Sequence, residues 1–263
     1  MIPASSQGKL HPAQGFYTLF YKEWLRFWKV NVQTVLAPVL SALMFLLVFS
    51  YSLRGRVEVF PGVDYSSFLI PGLAMMSVLQ NAFANSSSSL MQSKMTGNII
   101  FVLLPPLSHG EFFLAYLLAA AARGLVVGVG VLAATVWFVH LPVAYPLWAL
   151  LFALFGSGIM GALGIIAGVQ SDKVDQLAAF QNFIILPLTF LSGVFYSIQT
   201  LPPFWQWLSH FNPVFYMIDG FRYGFFGHSD VPPLLSLTIV AVSFFALSLF
   251  TLWLIKIGYK LRL

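Results

Sequence analysis

The sequence predicts an all-α integral membrane protein with six transmembrane helices, an N-terminal amphipathic interfacial helix, and an extracytoplasmic re-entrant helical hairpin between spans 5 and 6. Three observations predict it. Hydrophobic residues make up 59% of the 263 residues and charged ones only 8%, with a mean hydropathy of +0.86; a soluble globule of that composition has too little polar surface to face water. Apolar runs of about 20 residues, the length that crosses about 30 Å of hydrocarbon, recur along the whole chain. Between the last two runs lies Leu191 to Gly227, an aromatic stretch cut by Pro202-Pro203 and by Asn212-Pro213. A backbone cannot stay unpaired in hydrocarbon, so this twice-broken piece folds back into the interface rather than crossing.

The elements follow in order. The first 15 residues are polar and the first long apolar run begins only near Val30, so no cleavable signal peptide is expected and the first span stays as an anchor. From Phe16 to Lys29, Phe16, Tyr17, Phe20, Trp24, Phe27 and Trp28 fall on one helical face and Lys22, Arg26 and Lys29 fall opposite, the pattern of a helix lying in the interface. It is read either as a membrane-surface anchor or as a helix that also touches a partner subunit. Six spans are expected, at about Val30 to Leu53, Tyr65 to Leu90, Glu111 to Val139, Pro146 to Val169, Leu177 to Ser197 and Pro233 to Lys256. With no repeat or linker visible, residues 1–29 form the cytoplasmic N-terminus with its amphipathic helix and residues 30–263 a single transmembrane domain.

An even span number puts both termini on one side. Lys9, Lys22, Arg26, Lys29, Lys94, Lys173, Lys256, Lys260 and Arg262 gather on that side, against Arg54, Arg56 and Arg222 on the other, so that side is cytoplasmic. The net charge of +5 is thus spent on orientation, and no nucleic acid is expected as partner. The chain has no cysteine, and its five histidines show no ligand spacing, so no bound metal is expected.

Gln92 to Glu111 is too apolar for a solvated turn and too broken to cross. Gly97 and Pro105-Pro106 punctuate a short helix carrying Ile99, Ile100, Phe101, Leu103 and Leu104, whose apolar side chains need lipid headgroups or another protein. Arg123 lies about 12 residues, or about 18 Å, into its span, where an unpaired charge costs roughly 2.5 to 3.5 kcal/mol. It marks either a water-accessible path or an internal hydrogen bond. Asp219 and Arg222 are three apart and can pair on a helix, and the small residues of Asn85 to Ser89 and Gly156 to Gly168 suit close helix approach. Asp172, Lys173 and Asp175 are expected in a solvated turn.

These residues bring a resemblance into view. Ser192-Gly193 with Phe195-Tyr196, then Leu201-Pro202-Pro203, then a short helix, then Asn212-Pro213 and Arg222 resemble the pattern of the permease subunit of ABC-2 type transporters, most closely its inner-membrane permeases. Phe68 to Asn85 is similar to that family's second span, and Leu103 to Glu111 to its coupling loop. The resemblance covers nearly the whole chain. It implies an exporter in the bacterial cytoplasmic membrane, in which two copies of the permease pair and each binds a separate ATP-hydrolysing subunit. ATP and Mg would then sit on that partner, and no GxxxxGK[ST] phosphate loop occurs in this chain.

On this resemblance the ATPase-coupling surface comprises Lys22, Arg26, Lys94, Phe101, Leu104 and Glu111. The extracytoplasmic gate comprises Pro202, Pro203, Asn212, Pro213 and Arg222, and Arg123 is the candidate for the intramembrane pathway. Many members carry acidic and basic residues just before the loop glycine, whereas here only Lys94 is charged in Ser93 to Gly97, which shifts the weight of docking to the apolar residues and Glu111. The rival reading is an ion-gradient-driven secondary transporter, which needs membrane carboxylates that the sequence keeps near span ends. A membrane-embedded enzyme lacks convergent titratable residues.

Overall fold

The computed structural model describes residues 14–53, 58–60, 63–104, 107–139 and 141–260. Lys9, Arg54, Arg56, Arg262 and the Pro105-Pro106 pair lie outside the described residues. The protein is a helical bundle built around α3, with one short antiparallel ribbon, β1 (Glu58–Phe60) and β2 (Val63–Asp64), in the loop before α3. The helices are α1 (Gln14–Lys29), α2 (Asn31–Leu53), α3 (Tyr65–Met95), α4 (Ile99–Leu103), α5 (His109–Thr135), α6 (Pro146–Gln170), α7 (Val174–Phe180), α8 (Leu186–Phe190), α9 (Pro203–His210), α10 (Pro213–Phe226) and α11 (Pro233–Ile257).

Among the described residues, five helices are long and apolar enough to cross a membrane: α2, α3, α5, α6 and α11. The expected fifth span is shorter and broken. In place of Leu177 to Ser197, a rod runs over 174–190, with a π-helical turn, Gln181–Ile185, between α7 and α8. The cause is local. Pro187 has no N–H to return to the preceding turn, and the ladder widens just before it, with the Leu186 N–H bonding the Gln181 carbonyl. The chain then turns at Gly193, whose φ of 74° is open to glycine at no steric cost.

Helix ends carry the expected chemistry. The Asp64 side chain caps α3 by accepting from the Ser66 N–H, and Ser108 with Glu111 forms a reciprocal capping box on α5. Pro213 sits in the first turn of α10 behind the capping Asn212, and Gly227 ends that helix in the left-handed region.

α3 is the axis because α6 comes unusually close to it. A Cβ added at Gly164 would meet the Phe83 carbonyl oxygen at 2.5 Å, and one at Gly168 the Ser87 carbonyl oxygen at 2.9 Å. Gly164, Gly168 and Ser87 fall in the two small-residue stretches the sequence singled out, and their role is packing. The main core joins α3 with α6 and α10 through Phe68, Leu79, Phe83, Phe152 and Phe215. A second, smaller core under α1 joins Leu19, Phe112, Tyr116 and Ile165. α2 and α11 bury little of themselves, as suits helices whose outer faces meet lipid.

Candidate functional site

The C-terminal half of α3 is polar. Gln80, Asn81, Asn85, Ser88, Ser89 and Gln92 follow one another there, flanked by α1 and α5. α1 turns Leu19, Glu23 and Phe27 inward, while Tyr17 and Trp28 are exposed, amphipathic rings of the kind that favour a membrane interface. The expected aromatic face and the basic face opposite it are therefore not cleanly divided between lipid and protein, since Phe27 is buried while Tyr17 and Trp28 are exposed. Arg26 points into the bundle, because a fully buried carboxylate, Glu23, draws it there at 3.2 Å. Arg26 also donates to the Asn85 carbonyl at 2.6 Å, to Asn85 Oδ1 at 3.0 Å and to the Ser88 hydroxyl at 3.2 Å. Glu23 in turn accepts from the Ser89 hydroxyl at 2.7 Å and pairs with Lys22 at 3.1 Å. One turn further along α3, Arg123 from α5 donates to Asn81 Oδ1 at 3.3 Å.

The residues expected on the coupling surface divide. Lys22, Arg26 and Phe101 line one groove of about 400 Å³ between α1, α3 and α4, together with Ser89, Gln92 and Thr96. Phe101 is 71% exposed and Leu104 70%, while Ile99 of the same helix is buried. Lys94 is turned elsewhere. Its ammonium donates to the Val169 and Ser171 carbonyls at 2.7 and 3.1 Å and pairs with Asp172 at 2.7 Å, a cation at the C-terminal end of α6. Lys260 approaches the same carboxylate at 3.5 Å, and the Lys94 hydrogen bond and charge hold the Asp172 carboxyl below its ordinary range. The Glu111 carboxylate accepts from Ser108 N and Oγ at 2.8 and 2.7 Å, so it serves the α5 cap.

At the opposite end of α3, the expected gate residues also divide. Pro202 and Pro203 are exposed at the start of α9, and Pro213 is half-buried. Asn212 is buried at the α9–α10 junction, donating to the Leu188 carbonyl at 2.6 Å and accepting from the Val214 N–H at 3.0 Å. Arg222, counted on the extracytoplasmic side, is 1% exposed, lying over the Phe68 ring at 3.7 Å and donating to the Gly193 carbonyl at 2.9 Å. The expected Asp219–Arg222 pair is absent from the ion pairs of the described residues. Asp219 accepts instead from the Asp230 and Val231 N–H groups at 2.8 and 3.2 Å, fastening α10 to the loop before α11.

Glu23, Asn81 and Asn85 were missed by sequence reasoning. Glu23 had a usable signal, since it lies three residues before Arg26 on a helix; the amides had none beyond polarity inside an apolar run.

Comparison with known proteins agrees with this architecture. The ABC-2 type transporter family matches residues 14–226. The chain is similar to the inner membrane transport permease YadH of Escherichia coli strain K12, with 37% identity over 93% of this chain and 96% of that protein. It is also similar to nodulation protein J of Rhizobium leguminosarum bv. viciae, with 27% identity over 76% of this chain and 80% of that protein, and to nodulation protein J of Rhizobium meliloti strain 1021, with 25% identity over 80% and 82%. With several apolar helices packed around α3 and this match across most of its length, the chain belongs to the ABC-2 type transporter family.

Proposed function

We propose that this chain is the permease subunit of an ATP-driven exporter of the bacterial inner membrane. It works as a pair of identical chains, each docked on a separate ATPase subunit that holds ATP and Mg. Its cargo is amphipathic, of a lipid-like or glycan kind. Family membership across nearly the whole chain carries this reading. The surface at the α4 end supports it, because exposed Phe101 and Leu104 beside the basic Lys22 groove offer apolar area that a partner protein can cover. Counting the broken rod over 174–190 as a crossing gives six spans, and the lysine and arginine distribution then favours both termini in the cytoplasm. In that topology α9 and α10 form the re-entrant hairpin on the exit side.

Coupling is tested by Phe101→Asp and Leu104→Asp in the permease co-purified with its ATPase. The expected outcome is ATP hydrolysis that no longer drives transport, since a charge in a desolvated apolar contact costs several kcal/mol. Normal coupling in both variants would count against this docking surface. Transport by ATP-free vesicles would overturn the ATP-driven reading in favour of an ion-gradient carrier.

A further inference from the structure

A cavity of about 540 Å³ opens between α2, the start of α3 and the end of α5, apart from the groove beside α4. Small-molecule sites occupy about 300–1,000 Å³. The lining is graded from apolar to polar. Leu43, Leu46, Leu47 and Ser50 recur at helical spacing on one face of α2, so that wall runs about 10 Å from Leu43 to Ser50 at 1.5 Å per residue. Ser50, Asp64 and Ser66 gather where α3 begins, and a 2.7 Å hydrogen bond between the Ser50 and Ser66 hydroxyls ties α2 to α3 at that level. α5 packs antiparallel to α3, with Gly124 against Val78 and Ala82 and Gly128 against Val78 and Ala74. Phe138, just past the end of α5, therefore lines the same polar end.

An apolar wall alone selects nothing in a bilayer, because acyl chains are as apolar as leucine. Selectivity rests with the polar end. The exposed Asp64 carboxylate accepts from the Ser66 N–H through Oδ2 at 3.3 Å, and it makes no ion pair among the described residues. The two bonded hydroxyls keep acceptor lone pairs to spare. Among the lining residues there is no lysine, arginine or histidine, and the Phe138 ring favours a cation over an anion. One negative charge, several acceptors and no cation are complemented by a protonated amine, whose three N–H donors need such partners.

We propose that this cavity binds a cationic amphiphile, with a single alkyl chain along Leu43, Met44 and Leu47 and an ammonium held by Asp64 beside Ser50 and Ser66. The inference goes beyond the permease reading and does not rest on it, since binding is measured with neither ATPase nor transport. A bilayer phospholipid is the poorer occupant, because its phosphate finds no cation among the lining residues.

The test uses the full chain in maltoside micelles and tritium-labelled decylamine, with protein-free micelles subtracted. Saturable binding is expected, displaced about fivefold more effectively by unlabelled decylamine than by decanol, which has the same chain and no charge. Asp64→Asn removes the charge and keeps the cap on α3, since asparagine caps helices as well as aspartate and Asn212 does so on α10. It is expected to weaken decylamine binding about fivefold, the size of an ion pair open to water, and to leave decanol binding unchanged. Leu43→Trp fills the apolar end and reports even if Asp64→Asn does not fold; it is expected to weaken amine and alcohol alike. Equal displacement by decanol and decylamine, wild-type amine binding in either variant, or tighter binding of lysophosphatidylethanolamine than of decylamine would overturn the proposal.

Discussion

Glu23 has no exposed surface, yet it holds two cations and a hydroxyl at the junction of α1 and α3. Removing one member of a buried ion pair leaves the other charge without compensation, which costs about 3–5 kcal/mol. Glu23→Gln is therefore expected to lower stability by about that amount in thermal or chemical unfolding of the solubilised protein, whereas Glu23→Gln combined with Arg26→Gln should lose less than the two single changes summed. Strict additivity would show that the pair does not act as a unit. The types and spacing of Lys22 and Arg26 were legible from the sequence, but their direction was not. A helical projection sorts residues into faces without saying which face turns inward, and here one buried carboxylate draws Arg26 into the bundle. The burial of Arg222 was not legible for a related reason: the positive-inside pattern assigns a cation to a side of the membrane and not to solvent or interior, and this one is satisfied by the Phe68 ring and the Gly193 carbonyl.

The contact of α3 with α6 depends on hydrogen atoms standing where side chains usually do. Gly168→Ala would place a methyl 2.9 Å from the Ser87 carbonyl oxygen and 2.8 Å from Leu90 Cβ, an overpacking cost of about 1–3 kcal/mol. Gly110→Ala, on the first turn of α5 with nothing within 4 Å, is expected to be neutral or to stabilise by about 0.5–1 kcal/mol through helix propensity. Unfolding midpoints of the two variants should move in opposite directions, and equal shifts would remove close approach as the explanation. Four of the six expected spans coincide closely with α2, α3, α6 and α11, because apolar length is the strongest signal a membrane sequence carries. The third, α5, ends at Thr135 and not Val139. The rod over 174–190 was the element least legible: hydropathy continues unbroken past Phe190, and only the combined effect of Pro187 and the turn at Gly193 stops the helix.

Across the whole molecule, the two ends of α3 carry different kinds of structure. One end has a groove open between α1 and α4; the other has short helices knotted to the core through Asn212, Asp219 and Arg222. Asn212→Ala removes both the α10 cap and the tie to the Leu188 carbonyl, at about 1 kcal/mol for the cap alone. It is expected to impair transport more than dimer assembly, and equal loss of both would make this junction a structural cap only. Family motifs made this end readable as a unit, while the bonds inside it depend on backbone carbonyls that no side-chain pattern reveals.

The polar C-terminal half of α3 also bears on how the chain is built. The mean hydropathy of α3, 1.4, is the lowest among the five candidate spans, and α6, which packs closely against its Phe83–Ser87 side, is synthesised only after α4 and α5. At roughly 5–20 residues per second that interval lasts several seconds. During it, the groups able to shield Asn85 and Ser89 are the ones already made, Arg26 and Glu23. α1 thus serves α3 as a built-in escort during insertion, and a chain shortened at its N-terminus past Glu23 would present its least lipid-compatible helix to the bilayer unaccompanied.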